Sequence, residues 1–244
     1  MDWEVWRREK SPFEDVLGFF QVQSVIDMCK GGDILDVGCG DGYLTKELLK
    51  HFNNITGIDE SEVSVNKARK NALGSKIIKT SIEKFAPKQK FDTILLINVL
   101  EHLPDPVEKL RIISKWLKSD GEIIIHVPNA YSMHRRIGAY MKLLHRCTDL
   151  NDADRAIGHQ IVFDTNSLAD TIAKSSLSIA KKGGLFIKPL SGPQMLKLYN
   201  MPFWENQKQR DLYFQALNTL GTEIPELSSI IYAVCKKSDQ ECAK

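Results

Sequence analysis

Between residues 20 and 128, short apolar runs bounded by turn residues alternate with stretches whose apolar positions recur at helical spacing. Residues 34–37 read as a short buried strand, and Leu44, Leu48, Leu49 and Phe52 then fall on one helix face. Residues 54–59 form a second strand, and 61–72 a helix with Ser61 placed as its N-cap. A third strand follows at 76–81. The fourth, 91–100, is apolar on both faces, as a central parallel strand should be. Residues 106–117 carry Val107, Leu110, Ile113 and Leu117 on one helical face, with Pro106 at the start. Asp120-Gly121 then turns the chain into a fifth strand at 122–129. This order predicts βαβ units, and hence an α/β fold with a doubly wound, mostly parallel sheet and helices on both faces.

After Pro128 the rhythm changes. A helix is predicted over 131–146, a loop with scattered acids over 147–163, and a helix near 165–175. Residues 177–190 are strand-like with a Gly183-Gly184 interruption, 191–222 are helical and irregular, and 228–237 form a last strand. No repeat or long linker divides the chain, so residues 1–244 are expected to form one domain with insertions at about 131–163 and 188–222. A net charge of +2 gives no global reason to expect nucleic acid. The cysteines at 29, 39, 147, 235 and 242 lack any CxxC pair and read as free thiols of a cytoplasmic protein, with no metal set. No apolar run approaches ~18 residues, so no membrane span is expected, and the polar start of the chain predicts no cleavable signal.

The stretch Ile34-Leu35-Asp36-Val37-Gly38-Cys39-Gly40-Asp41-Gly42-Tyr43 joins a strand to a helix through alternating glycines. Such a turn lets backbone approach a nucleotide closely. A dinucleotide's pyrophosphate would be repelled by Asp36 and Asp41, so the ligand here should be positive or neutral. S-adenosylmethionine satisfies this, with a sulfonium, an ammonium and no phosphate. An acid about twenty residues on should bond the ribose hydroxyls, and Asp59 lies 21 positions after Gly38.

With these residues the chain resembles the class I S-adenosylmethionine-dependent methyltransferases. The resemblance is carried by "ILDVGCGDGYLTKEL", "ITGIDES", "SIEKF" and "FDTILLINVLEHLPDP", covering roughly residues 20–130. It implies a Rossmann-like sheet ordered 3-2-1-4-5-7-6 with strand seven antiparallel, and S-adenosylhomocysteine as product. By the same resemblance the cofactor would meet Asp36, Gly38, Gly40 and Gly42, then Asp59 at the ribose. Ser81, Ile82 and Glu83 would meet the adenine, and Asn98 and His102 the methyl donor. "GHQIVFDTNSL" and "GGLFIKPLS" resemble, more loosely, a subgroup acting on small molecules or glycan precursors.

Methyl transfer needs a base only where the acceptor must lose a proton to become nucleophilic, as a hydroxyl does. His159 follows the variable stretch that should lie over the pocket and is the candidate base; the alternative is a loop histidine capping the helix near Thr165. His126 reads as a core histidine. In the segment 133–146, His134, Arg135 and Arg136 are candidate contacts for an anionic acceptor, against a solvated face packed through Ile137, Tyr140, Met141 and Leu144. Trp3, Trp6 and Phe13 form either a flap or an amphipathic helix on the core. Family enzymes acting on base nitrogens carry a [DNS]-P-P-[YFW] tetrad after strand four; "NVLE" stands there instead, which argues against nucleic acid. The expected activity is methylation of a hydroxyl or amine on a small polar or sugar-like acceptor. Its rivals are a macromolecular acceptor, protein or RNA, and a catalytically silent cofactor-binding subunit.

Overall fold

The computed structural model describes residues 12–238. Helix α1 (Pro12–Met28) precedes β1 (Asp33–Val37), α2 (Tyr43–Leu48), β2 (Asn54–Asp59), α3 (Glu62–Asn71), β3 (Lys76–Lys79) and β4 (Phe91–Ile97). A 3-10 turn at Leu100–His102 leads to α4 (Pro106–Ser114), β5 (Leu117–Pro128), α5 (Met133–Tyr140), α6 (Asp152–Ala156) and α7 (Thr165–Lys174). Then come β6 (Leu177–Leu185), α8 (Gly192–Tyr199), α9 (Gln207–Glu223) and β7 (Ile230–Lys237). The strands form one seven-stranded sheet in the order β3-β2-β1-β4-β5-β7-β6. β1 through β5 run parallel, and β7 is antiparallel to both β5 and β6. Fold class and strand order are therefore those expected.

Alternate residues of the central strands bury on opposite faces, as a sheet covered on both sides requires. Leu35, Leu96, Ile123 and Ile125 enter the cluster with Leu110 of α4 and Ile172 of α7. Ile34, Leu95 and Ile124 enter the other, with Val25 of α1 and Leu48 of α2. Each such side chain is worth about 1.5–3 kcal/mol relative to exposure. A third cluster, Phe13, Phe186, Met195 and Phe214, welds α1 to α8 and α9. Phe13 is thus core; Trp3 and Trp6 lie outside the described residues.

Ser61 caps α3 by accepting from Ser64 N at 3.3 Å, as the sequence suggests. Elsewhere the elements differ from expectation. β5 begins at Leu117, and its pairing jumps from Phe91↔Leu117 to Thr93↔Glu122; within the irregular stretch Lys118 reaches Asp92 at 2.7 Å and Asp33 at 3.2 Å. Gly183-Gly184 does not interrupt β6: a Cβ there would lie 2.5 Å from the Tyr232 hydroxyl or 2.3 Å from Ser228 Oγ, so the glycines admit the side chains of Tyr232 in β7 and of Ser228 just before it. The helix expected over 131–146 stops at Tyr140, where Lys142 takes φ +61° and Leu143 N bonds back to Gly138 O. Its apolar residues Ile137, Tyr140 and Met141 are exposed and Arg135 is buried, the reverse of the packing expected. The nominal loop 147–163 contains α6. No helix among the described residues is long and apolar enough to cross a membrane.

The strand order reverses between β1 and β4, the position at which open α/β sheets bind ligands beyond their carboxyl ends. Val37-Gly38 and Ile97-Asn98 end the two strands there.

Candidate active site

The glycine loop starts where β1 ends. Gly38, Gly40 and Gly42 have φ of +68°, +55° and +80°. A Cβ on Gly38 would stand 2.7 Å from Val99 Cγ2, and one on Gly42 2.8 Å from Ala68 Cα, so the loop is pressed between the β4 tip and α3. Asp36 is buried and accepts from Thr45 Oγ1 at 2.6 Å, tying the strand to α2 below the loop. Asp59 accepts from Gly40 N and Ser61 N, each at 2.9 Å, one bond on each carboxylate oxygen. A carboxylate oxygen has a second lone pair, so Asp59 can still take two hydroxyls. The loop and this acid fit an adenosine ligand without phosphate.

Beyond β3, Ile82 packs against the core and Ser81 O caps a turn by accepting from Lys84 N and Phe85 N. Glu83 is exposed and engaged by Lys109 of α4, whereas Ser81 and Ile82 are half-buried. Asn98, at φ +56°, exchanges two side-chain hydrogen bonds with Gln21 of α1: its Nδ2 donates to Gln21 Oε1 at 3.2 Å, and its Oδ1 accepts from Gln21 Nε2 at 3.3 Å. This anchors the N-terminal helix to the β4 tip.

The 3-10 turn after β4 and the segment 157–163 meet above the sheet. Gln160 N and Ile161 N both bond Glu101 O, and Ala130 N bonds Phe163 O. Gly158, at φ +82°, makes the bend, and its carbonyl lies 3.2 Å from His102 Nδ1. His159 is thereby buried between two acids. Its Nε2 is 3.9 Å from Glu101 Oε1 and its Nδ1 3.7 Å from Asp154 Oδ1, electrostatic distances rather than hydrogen bonds. The His102 and His159 rings meet edge-on at 4.8 Å. Asp164, not His159, caps α7, through Asn166 N and Ser167 N. Donor atoms of Glu101, His102 and His159 also lie within 4.8 Å of one another, the spacing a divalent cation spans, a gathering the sequence reading did not anticipate.

Burial separates these acids electrically. Glu101 is 1% exposed with neither oxygen hydrogen-bonded, and burial pushes its carboxyl up to about 8. Burial opposes ionisation of Asp154 as well, but His159, the Asn151 N–H and Arg135 outweigh it and hold that carboxyl well below the carboxylate range. In the sequence Glu101 has a place in the strand-four motif but no catalytic role. An acid beside a strand tip reads as solvated, and only the return of residues 157–163 encloses it.

Arg135 is committed inside the protein. It donates to Asp154 Oδ2 at 2.8 Å, Cys147 O at 2.9 Å and Asp149 O at 2.5 Å. Arg136 lies over the Tyr131 ring and donates to Tyr131 O. His134 Nδ1 meets Ser132 Oγ at 3.1 Å. A hollow of about 700 Å³ opens outside this network, lined by His145, Asp149, Asp152, Arg155 and Gln160 among others.

Residues 29–187 match the family described as a methyltransferase domain. The ubiquinone biosynthesis O-methyltransferase of Actinobacillus pleuropneumoniae serotype 7 is 36% identical over 124 residues, 47% of this chain and 51% of that protein. The chain therefore spans about half the length of that relative. The protein of the same name from Coxiella burnetii is 30% identical over 174 residues, 67% of each chain. Among solved structures, a Thermotoga maritima S-adenosylmethionine-dependent methyltransferase, described as a possible histamine N-methyltransferase, superposes with a TM-score of 0.63 at 18% identity. It covers 92% of this chain and 90% of its own. The magnesium protoporphyrin IX methyltransferase of Synechocystis, with bound S-adenosylhomocysteine, also gives 0.63, at 15% identity over 97% and 94%. Both share the fold.

Proposed function

The chain belongs to the class I S-adenosylmethionine-dependent methyltransferases, and on that premise we propose that it methylates a hydroxyl group of a small polar acceptor bound beside segments 131–163 and 188–222. The observation carrying this reading is His159, enclosed between Glu101 and Asp154 at the carboxyl end of β4. The relatives named O-methyltransferases support oxygen as the acceptor atom. The hollow nearby carries both signs of charge rather than a basic face, which favours a small molecule over RNA.

When bound, S-adenosylmethionine supplies an electrophilic methyl group on sulfur. Asp59 receives the ribose hydroxyls and the glycine loop the methionine portion, so the donor's position is set from both sides. The ionised Asp154 faces Nδ1 of His159 and favours the Nδ1–H tautomer. Nε2 then takes the acceptor's proton, beside a Glu101 that is neutral at neutral pH and does not compete as an anion. Segment 157–163, packed on the β4 tip, keeps water from that transfer.

The test is a screen of catechol, sugar and phosphorylated hydroxyl acceptors with wild type and His159→Gln. Turnover that falls about 10²-fold or more in the variant supports the base. An undiminished rate gives His159 a structural role, and cofactor binding without turnover on any acceptor identifies a silent subunit.

A further inference from the structure

We propose that Lys188, beneath the N-terminus of α5, receives a carboxylate or phosphate group carried by the methyl acceptor. The assignment rests on the methyltransferase reading above and adds to it the charge of the substrate and the residue that recognises it.

Lys188 is held in place by its neighbours along the chain. β6 ends at Leu185, and Phe186 then adopts φ +58°, a conformation costly for a bulky side chain. Phe186 is fully buried, its carbonyl accepts from Ser229 N at 2.7 Å, and Ile187 N bonds Leu217 O at 2.9 Å. α9 closes over the bend so tightly that a Cβ on Gly221 would stand 2.2 Å from Phe186 N. The chain leaves the sheet here and Lys188 O accepts from His134 N at 3.1 Å, which seats Lys188 against the first turn of α5. Strained backbone maintained by packing on both sides is the setting in which function is to be sought.

The local charges do not balance. No carboxylate among the described residues forms an ion pair with Lys188; the charges it feels are Arg135, Asp154 and Glu14. Asp154 is already bound by Arg135 and faces His159. Burial and Arg135 lower the Lys188 ammonium to about 8 against the pull of Asp154 and Glu14. Burial, Lys188 and Arg135 together keep His134 neutral, its ring lowered to about 2. The Ser132 side chain makes no cap bond to α5 and instead meets His134 Nδ1, so the helix's positive end adds to the same region. A half-buried cation that no carboxylate pairs, seated at the start of α5, forms a receptor for an oxyanion. Arg135, expected in that role, is occupied internally.

Inorganic phosphate and benzoate are titrated calorimetrically into protein saturated with S-adenosylhomocysteine, using wild type, Lys188→Met and Lys188→Arg. At least one anion should bind wild type, Lys188→Met should weaken it about tenfold or more, and Lys188→Arg should retain it. Which anion binds tells phosphate from carboxylate. Lys188→Met should also melt higher than wild type, since an unpaired cation leaves a half-buried position. The assignment is overturned if neither anion binds wild type, or if Lys188→Met binds as well as wild type. It is overturned equally if Lys188→Met loses S-adenosylhomocysteine, which would give the lysine to the cofactor's carboxylate. Failure of wild type to bind S-adenosylhomocysteine would refute the methyltransferase reading instead.

Discussion

His159 Nε2 stands 3.9 Å from Oε1 of Glu101, an acid that is itself almost wholly enclosed. An imidazole beside a neutral carboxyl and an ionised one has its two nitrogens distinguished by charge alone. The pair also ties stability to pH. The Glu101 carboxyl is raised in the folded state from about 4.5 to about 8, so its contribution is complete below 4.5 and is lost as pH rises toward 8. Urea titrations at pH 5, 7 and 9 should show wild type losing stability relative to Glu101→Gln across that window. Parallel pH profiles would show that the carboxyl is already ionised.

His126 behaves in the opposite sense. It is fully buried in β5 beside Tyr232, and burial lowers its ring to about 3. A depressed histidine contributes stability that is present above 6.5 and lost as pH falls toward 3. His126→Phe should therefore lose less of its melting temperature between pH 7 and pH 4 than wild type does.

Asp59 binds the loop and, on the proposed reading, the ribose. Asp59→Ala removes acceptors from Gly40 N and Ser61 N together with any ligand hydroxyls. Calorimetry should show S-adenosylhomocysteine weakened about 10- to 100-fold, the range of one or two charge-assisted hydrogen bonds. Unchanged affinity would move the ribose elsewhere.

Gly38→Ala puts a methyl 2.7 Å from Val99 Cγ2 at a φ of +68°. A cost of about 1–2 kcal/mol is expected from the backbone alone, with the clash added. Val99→Ala in the same chain should recover the clash portion and not the backbone portion, a coupling that a double-mutant cycle in urea measures.

Arg135→Ala should destabilise by about 3–5 kcal/mol, because it empties a buried position and leaves the largely enclosed Asp154 without its cation. Arg136→Ala, which removes a partly exposed stacking contact on Tyr131, should cost about 1 kcal/mol or less. Similar losses at the two positions would contradict the division of roles described for α5.

Local features were the legible ones. The glycine loop, Asp59 and the Ser61 cap depend on neighbours within one βαβ unit, and their residue types announce them. The order of β7 and β6 came from family resemblance, because no periodicity records which edge a late strand joins. Arg135 could not be read as buried, since its partner Asp154 lies on another short helix and the contact exists only once both are placed. The charged pattern of 133–146 therefore suggested a solvated basic face, and the fold turned it inside out. Lys188 was hidden for a similar reason. In the sequence it continues a strand, and only the left-handed turn at Phe186 takes it out of the sheet.

The amide pair between Gln21 and Asn98 has a kinetic consequence. α1 packs on α2 and on α8, so on the proposed reading it runs along both the donor and the acceptor side of the site. Its tie to the β4 tip is made of two neutral groups. Neither salt nor pH near neutrality weakens such a tie appreciably, whereas both would act on an anion held by Lys188. Product exchange should then divide into a step indifferent to ionic strength, set by this clasp, and a step sensitive to it, set by the departing anion.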